Sequence, residues 1–135
     1  MPQQPYHAAI DSLPQRAHPS FDEMPTYTRT SVVMDGCILV WTWLHAGFHW
    51  PEGKAPDQHP FDQTIYVLSG HLDMTLDGKE TYNLAPGDVL YIPADLSHRA
   101  DLPDDEGVFL LEVFAPVRED YRYTAAHQPG ATDEA

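Results

Sequence analysis

The chain has 135 residues, seven Lys or Arg against twenty-one Asp or Glu, and a formal net charge of −14 with histidine neutral. That length holds one domain of ordinary size, and 42% hydrophobic residues can fill a core, which excludes a chain disordered throughout. Strong acidity with scattered basic residues excludes nucleic acid as a partner, and the longest apolar stretch, Cys37 to Leu44, is broken by Thr42 and far too short to cross a membrane.

Residues 1–30 carry five prolines and little periodicity, so they are expected to form an extended arm with one helical turn around Ala8 to Leu13. The opening MPQQPYHAAIDSL lacks the basic and apolar regions of a secretory signal, and the single Cys37 cannot close an intrachain disulfide. A cytoplasmic location is the expectation. Residues 31–122 then hold short β-branched and aromatic runs at 31–34, 37–44, 64–69, 71–76, 80–84, 88–92 and 107–115, most bounded by Gly, Pro or Asp. Such spacing predicts an all-β sandwich or barrel. Residues 123–135 read as a tail.

One hairpin is legible in detail. A two-residue turn at Asp77-Gly78 would set polar residues opposite the apolar row Leu72, Met74 and Leu76. A three-residue loop, Asp77-Gly78-Lys79, pairs 76 with 80, 74 with 82 and 72 with 84, and keeps the apolar row on one face. The longer loop is therefore predicted, with Gly78 left-handed.

Histidines and carboxylates gather in DQHPFDQTIYVLSG (57–70) and PGDVLYIPADLSH (86–98). In an extended strand, residues i and i+2 share a side, so Asp57 and His59 can converge. Gln63 opens the following strand and His98 ends the second segment. Two imidazoles, a carboxylate and an amide oxygen suit one divalent transition metal and leave positions for water or substrate. His45 and His49 read as a strand end and mouth loop, His71 as exposed, Cys37 as a small buried residue, and Asp104-Asp105-Glu106 as a solvated loop.

These segments resemble the cupin superfamily, whose first motif reads G-x5-H-x-H-x3,4-E-x6-G and whose second reads G-x5-P-x-G-x2-H-x3-N. Here the first appears as Asp57, His59, Gln63 and Gly70, and the second as Pro86-Gly87-Asp88, Ile92-Pro93 and His98. The resemblance covers about residues 40 to 122 and implies a double-stranded β-helix, or jelly roll. Within the superfamily the chain is similar to the small KdgF-type cupins of unsaturated-uronate catabolism, which also carry Gln as third ligand and end in a phrase like VFSPxREDF. That phrase appears here as Val113-Phe114-Ala115-Pro116-Val117-Arg118-Glu119-Asp120-Tyr121. The likeness implies that Glu112, Phe114 and Arg118 line the pocket, with Glu112 longer than the family Asp.

Asp57 stands where the family has His. Its charge offsets the Glu-to-Gln change at the third position and makes the metal a weaker Lewis acid. By resemblance, the chain is expected to be an isomerase or lyase-like enzyme acting on a small polar carbonyl compound, carbohydrate-derived and carboxylate-bearing. Glu112 would move a proton and Arg118 would clamp a carboxylate, or pair with Glu112. Two readings stay open beside it: a non-haem Fe(II) dioxygenase, since two His plus Asp compose a facial triad, and a non-catalytic binding barrel. A homodimer is expected, with the proline-rich N-terminal arm and Trp41 and Trp43, which share one strand face, supplying the interface.

Overall fold

The computed structural model describes residues 4–18 and 25–132. Among the described residues nine strands follow one another: β1 Arg16–Ala17, β2 Tyr27–Val33, β3 Ile38–Leu44, β4 Asp62–Ser69, β5 Leu72–Leu76, β6 Glu80–Leu84, β7 Val89–Ile92, β8 His98–Asp101 and β9 Val108–Ala115. They build a six-stranded sheet in the order β1-β2-β3-β9-β4-β7 and a three-stranded sheet in the order β6-β5-β8. Every pairing is antiparallel. The chain is thus an all-β jelly roll, and among the described residues no helix is long and apolar enough to cross a membrane.

Strict alternation positions the interior. Along β3, Ile38, Val40, Thr42 and Leu44 are buried while Leu39, Trp41 and Trp43 are half-buried on the other face. β9 repeats the pattern, with Val108, Leu110, Glu112 and Phe114 inward. Between the sheets, Leu44, Ile65, Val67, Leu72, Met74 and Leu110 belong to one apolar cluster with Phe48 and Trp50 from the loop after β3. Burial of these side chains, each contributing about 1.5–3 kcal/mol, holds the two sheets together.

The β5–β6 hairpin has the three-residue loop: Leu76 faces Glu80, Met74 faces Tyr82 and Leu72 faces Leu84, and Gly78 has φ +65°. β8 was not anticipated, because His98-Arg99-Ala100-Asp101 carries no apolar alternation. Its pairing with β5 supplies what its composition does not.

At the N-terminal end, β2 begins at Tyr27, inside the segment expected as an arm, and β1 pairs with it. At the other end, a 3₁₀ segment spans Glu119–Ala125, and the residues expected as a tail pack inward. Tyr121, Ala125 and Ala131 join Val33, Ile38 and Phe114 in a second apolar cluster. The Gln128 amide bonds both the backbone N–H (2.8 Å) and carbonyl (2.9 Å) of Val33, satisfying groups that the sheet leaves unpaired.

Candidate functional site

The strand register brings chemistry-bearing residues to the sheet's inner face. Arg29 lies opposite Thr42, Glu112 lies opposite Val40 and Ile65, and Gln63 lies opposite Phe114. Directly paired residues share a face, so Thr42, Glu112 and Gln63 become diagonal neighbours. Their side chains meet: Thr42 Oγ1 donates to Glu112 Oε1 at 2.7 Å, and Gln63 Nε2 donates to Glu112 Oε2 at 2.6 Å. Both carboxyl oxygens are thus held by fixed donors, as a buried acidic side chain requires.

Beyond Gln63 the chain of bonds continues. Glu112 accepts from the Gln63 amide nitrogen, so the amide oxygen turns to His59, whose Nε2 donates to it at 3.0 Å. The His59 and His98 rings stand 4.9 Å apart in a T-shaped contact. His98 enters through an isolated bridge with Asp57, each residue's N–H reaching the other's carbonyl at 2.8 Å. Its Nδ1 donates to Leu96 O at 3.0 Å, which fixes the ring and leaves Nε2 as a lone-pair donor. These groups line a cavity of about 30 Å³ that also meets Tyr27, Trp50, Asp57, Met74, Phe114, Arg118 and Tyr121. That volume is the space of about two waters, room for one end of a small molecule.

His59, Gln63 and His98 match a divalent metal in kind. The 3.0 Å between His59 Nε2 and Gln63 Oε1 is also the spacing of adjacent ligands on a metal with bonds of about 2.1 Å. His59 Nδ1 is buried and has no hydrogen-bond partner among the described residues, so with Nε2 donating to Gln63 the lone pair of the ring is left unused. Asp57 lines the same cavity, yet among the described residues no three His, Cys, Asp or Glu side chains gather closely enough to hold an ion. The donors that converge are two imidazoles and an amide oxygen. His45 and His49 are exposed and stand apart from the cavity, with His45 Nε2 beside Thr28 Oγ1 at 2.9 Å.

The partner of Glu112 is Arg29, not Arg118. Arg29 Nη2 lies 3.9 Å from Glu112 Oε1, and the two side chains are 1% and 6% exposed. Burial alone would lower the pKa of this guanidinium, but Tyr27, Tyr121 and Glu112 outweigh it and hold the pKa above the usual arginine value. Arg118 forks instead onto Asp120 through Nε (3.2 Å) and Nη2 (2.8 Å), with its guanidinium 3.8 Å from the Tyr121 ring centroid and 4.9 Å from that of Phe114. Burial, then Arg118 and His98, push the His59 pKa down, so its imidazole is neutral at physiological pH. Phe114 is 1% exposed and serves both core and cavity wall.

The residues missed from sequence are Tyr27, Arg29 and Thr42. Tyr27 and Arg29 lie in Tyr27-Thr28-Arg29-Thr30-Ser31, where Arg29, Thr30 and Ser31 are all buried and no apolar alternation marks the strand, whereas Thr42 holds an inward place in the alternation of β3.

Residues 49–114 match the cupin domain family. In fold the chain is similar to KdgF from Halomonas sp., at 24% identity over 87% of this chain and 98% of that one, with a TM-score of 0.70. It is also similar to an RmlC-like cupin from Shewanella frigidimarina, at 22% identity, 90% and 99% coverage and a TM-score of 0.70. The DMSP lyase DddQ from Ruegeria pomeroyi shares the fold at 19% identity, with 81% and 54% coverage and a TM-score of 0.60. No curated protein matches in sequence.

Proposed function

We propose that this small cupin-superfamily chain is a metal-dependent acid–base enzyme, an isomerase or lyase-like catalyst for a small, carboxylate-bearing carbonyl compound of carbohydrate origin. One observation carries the reading: a buried carboxylate, Glu112, is held from both oxygens on the wall of a small cavity that also holds His59, Gln63 and His98. A buried carboxyl group held at both oxygens beside a reactive space is the arrangement of a general base.

His59, Gln63 and His98 would hold the metal, with Asp57 as the anionic group beside them. When bound, the metal supplies a Lewis acid for substrate oxygens. Arg118 faces the cavity with its Nε–Nη2 edge on Asp120, which orients the rest of the fork toward an incoming carboxylate. The oxygenase alternative, with two His and one carboxylate on one ion, gives the buried and doubly held Glu112 no part to play. The acid–base reading therefore stands first.

The outer face of the larger sheet supports a homodimer. Trp41, Leu111, Tyr66 and Val89 run in register across β3, β9, β4 and β7, and Asp62 is the one charged strand residue on that face.

Monomeric unsaturated uronate, incubated with protein loaded in turn with Mn²⁺, Fe²⁺, Co²⁺, Ni²⁺ or Zn²⁺, tests the activity through loss of the double-bond ultraviolet absorbance. The wild type should outpace the spontaneous reaction and Glu112→Gln should not. A wild-type rate equal to background with all five metals removes this substrate class.

A further inference from the structure

We propose that Tyr27 is the second catalytic residue of this site, donating its phenol proton to the carbonyl oxygen while Glu112 takes a proton from the adjacent carbon. The inference rests on the acid–base reading above and adds a residue that no cupin motif contains.

Three observations point to it. Tyr27 and Glu112 both line the small cavity. A single atom, Arg29 Nη2, serves both: it donates to the Tyr27 phenol oxygen at 2.9 Å and lies 3.9 Å from Glu112 Oε1. The two oxygens therefore lie within about 7 Å of each other, a gap that a carbonyl and its neighbouring carbon bridge with hydrogen bonds at both ends. Finally, burial pushes the Tyr27 pKa well up, so at neutral pH the phenol carries its proton.

The charge balance explains why one guanidinium would serve both groups. In the resting site Arg29 is countered by the Glu112 carboxylate. During enolisation Glu112 removes the C–H proton, the C–H electron pair forms the C=C bond, and the carbonyl π pair moves to oxygen, which takes the phenol proton. Glu112 is then neutral and Tyr27 is a phenolate. The negative charge has moved from one side of Arg29 Nη2 to the other, and the buried cation remains paired throughout. A buried charge left unpaired at either stage would raise the barrier, and Arg29 prevents this without moving. Return of the enol proton to the Tyr27 phenolate and of the Glu112 proton, or a solvent deuteron exchanged for it, to the same carbon completes the cycle with no net change in the protein.

The test uses pyruvate, a small carbonyl compound with a carboxylate, in D₂O, with methyl hydrogen exchange followed by NMR on the Mn²⁺-loaded protein. Wild type should accelerate exchange, Glu112→Gln should fall to background, and Tyr27→Phe should fall by about 10²-fold or more. Because Tyr27→Phe could perturb folding, 3-fluorotyrosine installed at position 27 provides the second arm. It keeps the ring in place, and its more acidic phenol should change the exchange rate. Exchange at the wild-type rate in both Tyr27 proteins overturns the role of Tyr27 and leaves the acid–base reading intact. No exchange by wild type overturns that reading and this inference with it.

Discussion

Arg29 and Glu112 form an ion pair across the barrel interior, Nη2 to Oε1 at 3.9 Å, with side chains 1% and 6% exposed. Removing either partner strands the other charge in a dry site, at a cost of about 3–5 kcal/mol. Glu112→Gln and Arg29→Met should each lower stability in urea by that order, and the double variant should recover much of the loss. A double-variant loss equal to the sum of the singles, within about 0.5 kcal/mol, would show that the two charges are not coupled.

Metal binding should depend unequally on the four sequence-predicted donors. His59 and Gln63 converge at 3.0 Å and His98 is oriented by Leu96 O, whereas Asp57 does not complete a three-member group with the imidazoles. Elemental analysis should find His59→Ala and His98→Ala reduced at least tenfold in bound metal, and Asp57→Ala reduced less. Full metal content in the doubly substituted His59→Ala/His98→Ala protein would place the ion elsewhere.

Much of this architecture was legible in the chain. Alternation in Ile38 to Leu44 and Val108 to Phe114 located two central strands, and the apolar row at Leu72, Met74 and Leu76 settled the hairpin register. The inward faces that are polar were opaque. Arg29 sits fully buried, and a pattern reader expects an arginine there to face water. His98 to Asp101 forms a strand through its pairing with β5, which leaves no mark on its own composition. The partner of Glu112 was equally hidden, because Arg29 and Arg118 are indistinguishable until the register sets Arg29 opposite Thr42.

Gly70 and Gly107 should tolerate no side chain. Gly70 has φ +80°, and a Cβ there would lie 2.3 Å from the Gly107 carbonyl oxygen; one at Gly107 would lie 2.9 Å from the Leu44 carbonyl oxygen. The obstacles are backbone atoms, so relief requires moving a strand end. Gly70→Ala should lose about 3 kcal/mol from left-handed strain and the clash together, roughly a 10 °C fall in melting temperature. Gly36→Ala, with open space around it, should change little and is the control.

If the outer face of the larger sheet pairs two copies, Val89 and Tyr91 are the residues to charge. They are 65% and 56% exposed, and a patch this apolar on an otherwise acidic chain fits an interface. Val89→Arg combined with Tyr91→Arg should convert a dimeric mass by light scattering to a monomeric one while the melting curve stays cooperative. A wild type already monomeric at tens of micromolar would retire the pairing.

Acid sensitivity should trace to His18. This imidazole is 3% exposed, its Nε2 is 3.0 Å from the Tyr121 hydroxyl and its ring packs 4.6 Å from Tyr27. Burial first, then Arg29, Arg118 and Lys54, push its pKa far below 6.5. The folded protein therefore keeps His18 neutral, while the unfolded chain binds a proton as pH falls through about 6.5. The unfolded state gains protons that the folded state refuses, so stability must decline as the solution is acidified, by about 1.4 kcal/mol per pH unit below that point. Above pH 7 this contribution is fully present and constant. Burial lowers the His59 pKa as well, which adds to the decline in the same sense. Urea unfolding at pH 7.5 and 5.0 should differ by about 2 kcal/mol from His18 alone, above the range where carboxylates titrate. His18→Gln should flatten most of that slope even if its stability at pH 7.5 is lower, because an amide has no proton to gain. Equal stability of the wild type at the two pH values would mean that His18 is protonated in the folded state, and with it the packing against Tyr27 and Tyr121 would have to be redrawn.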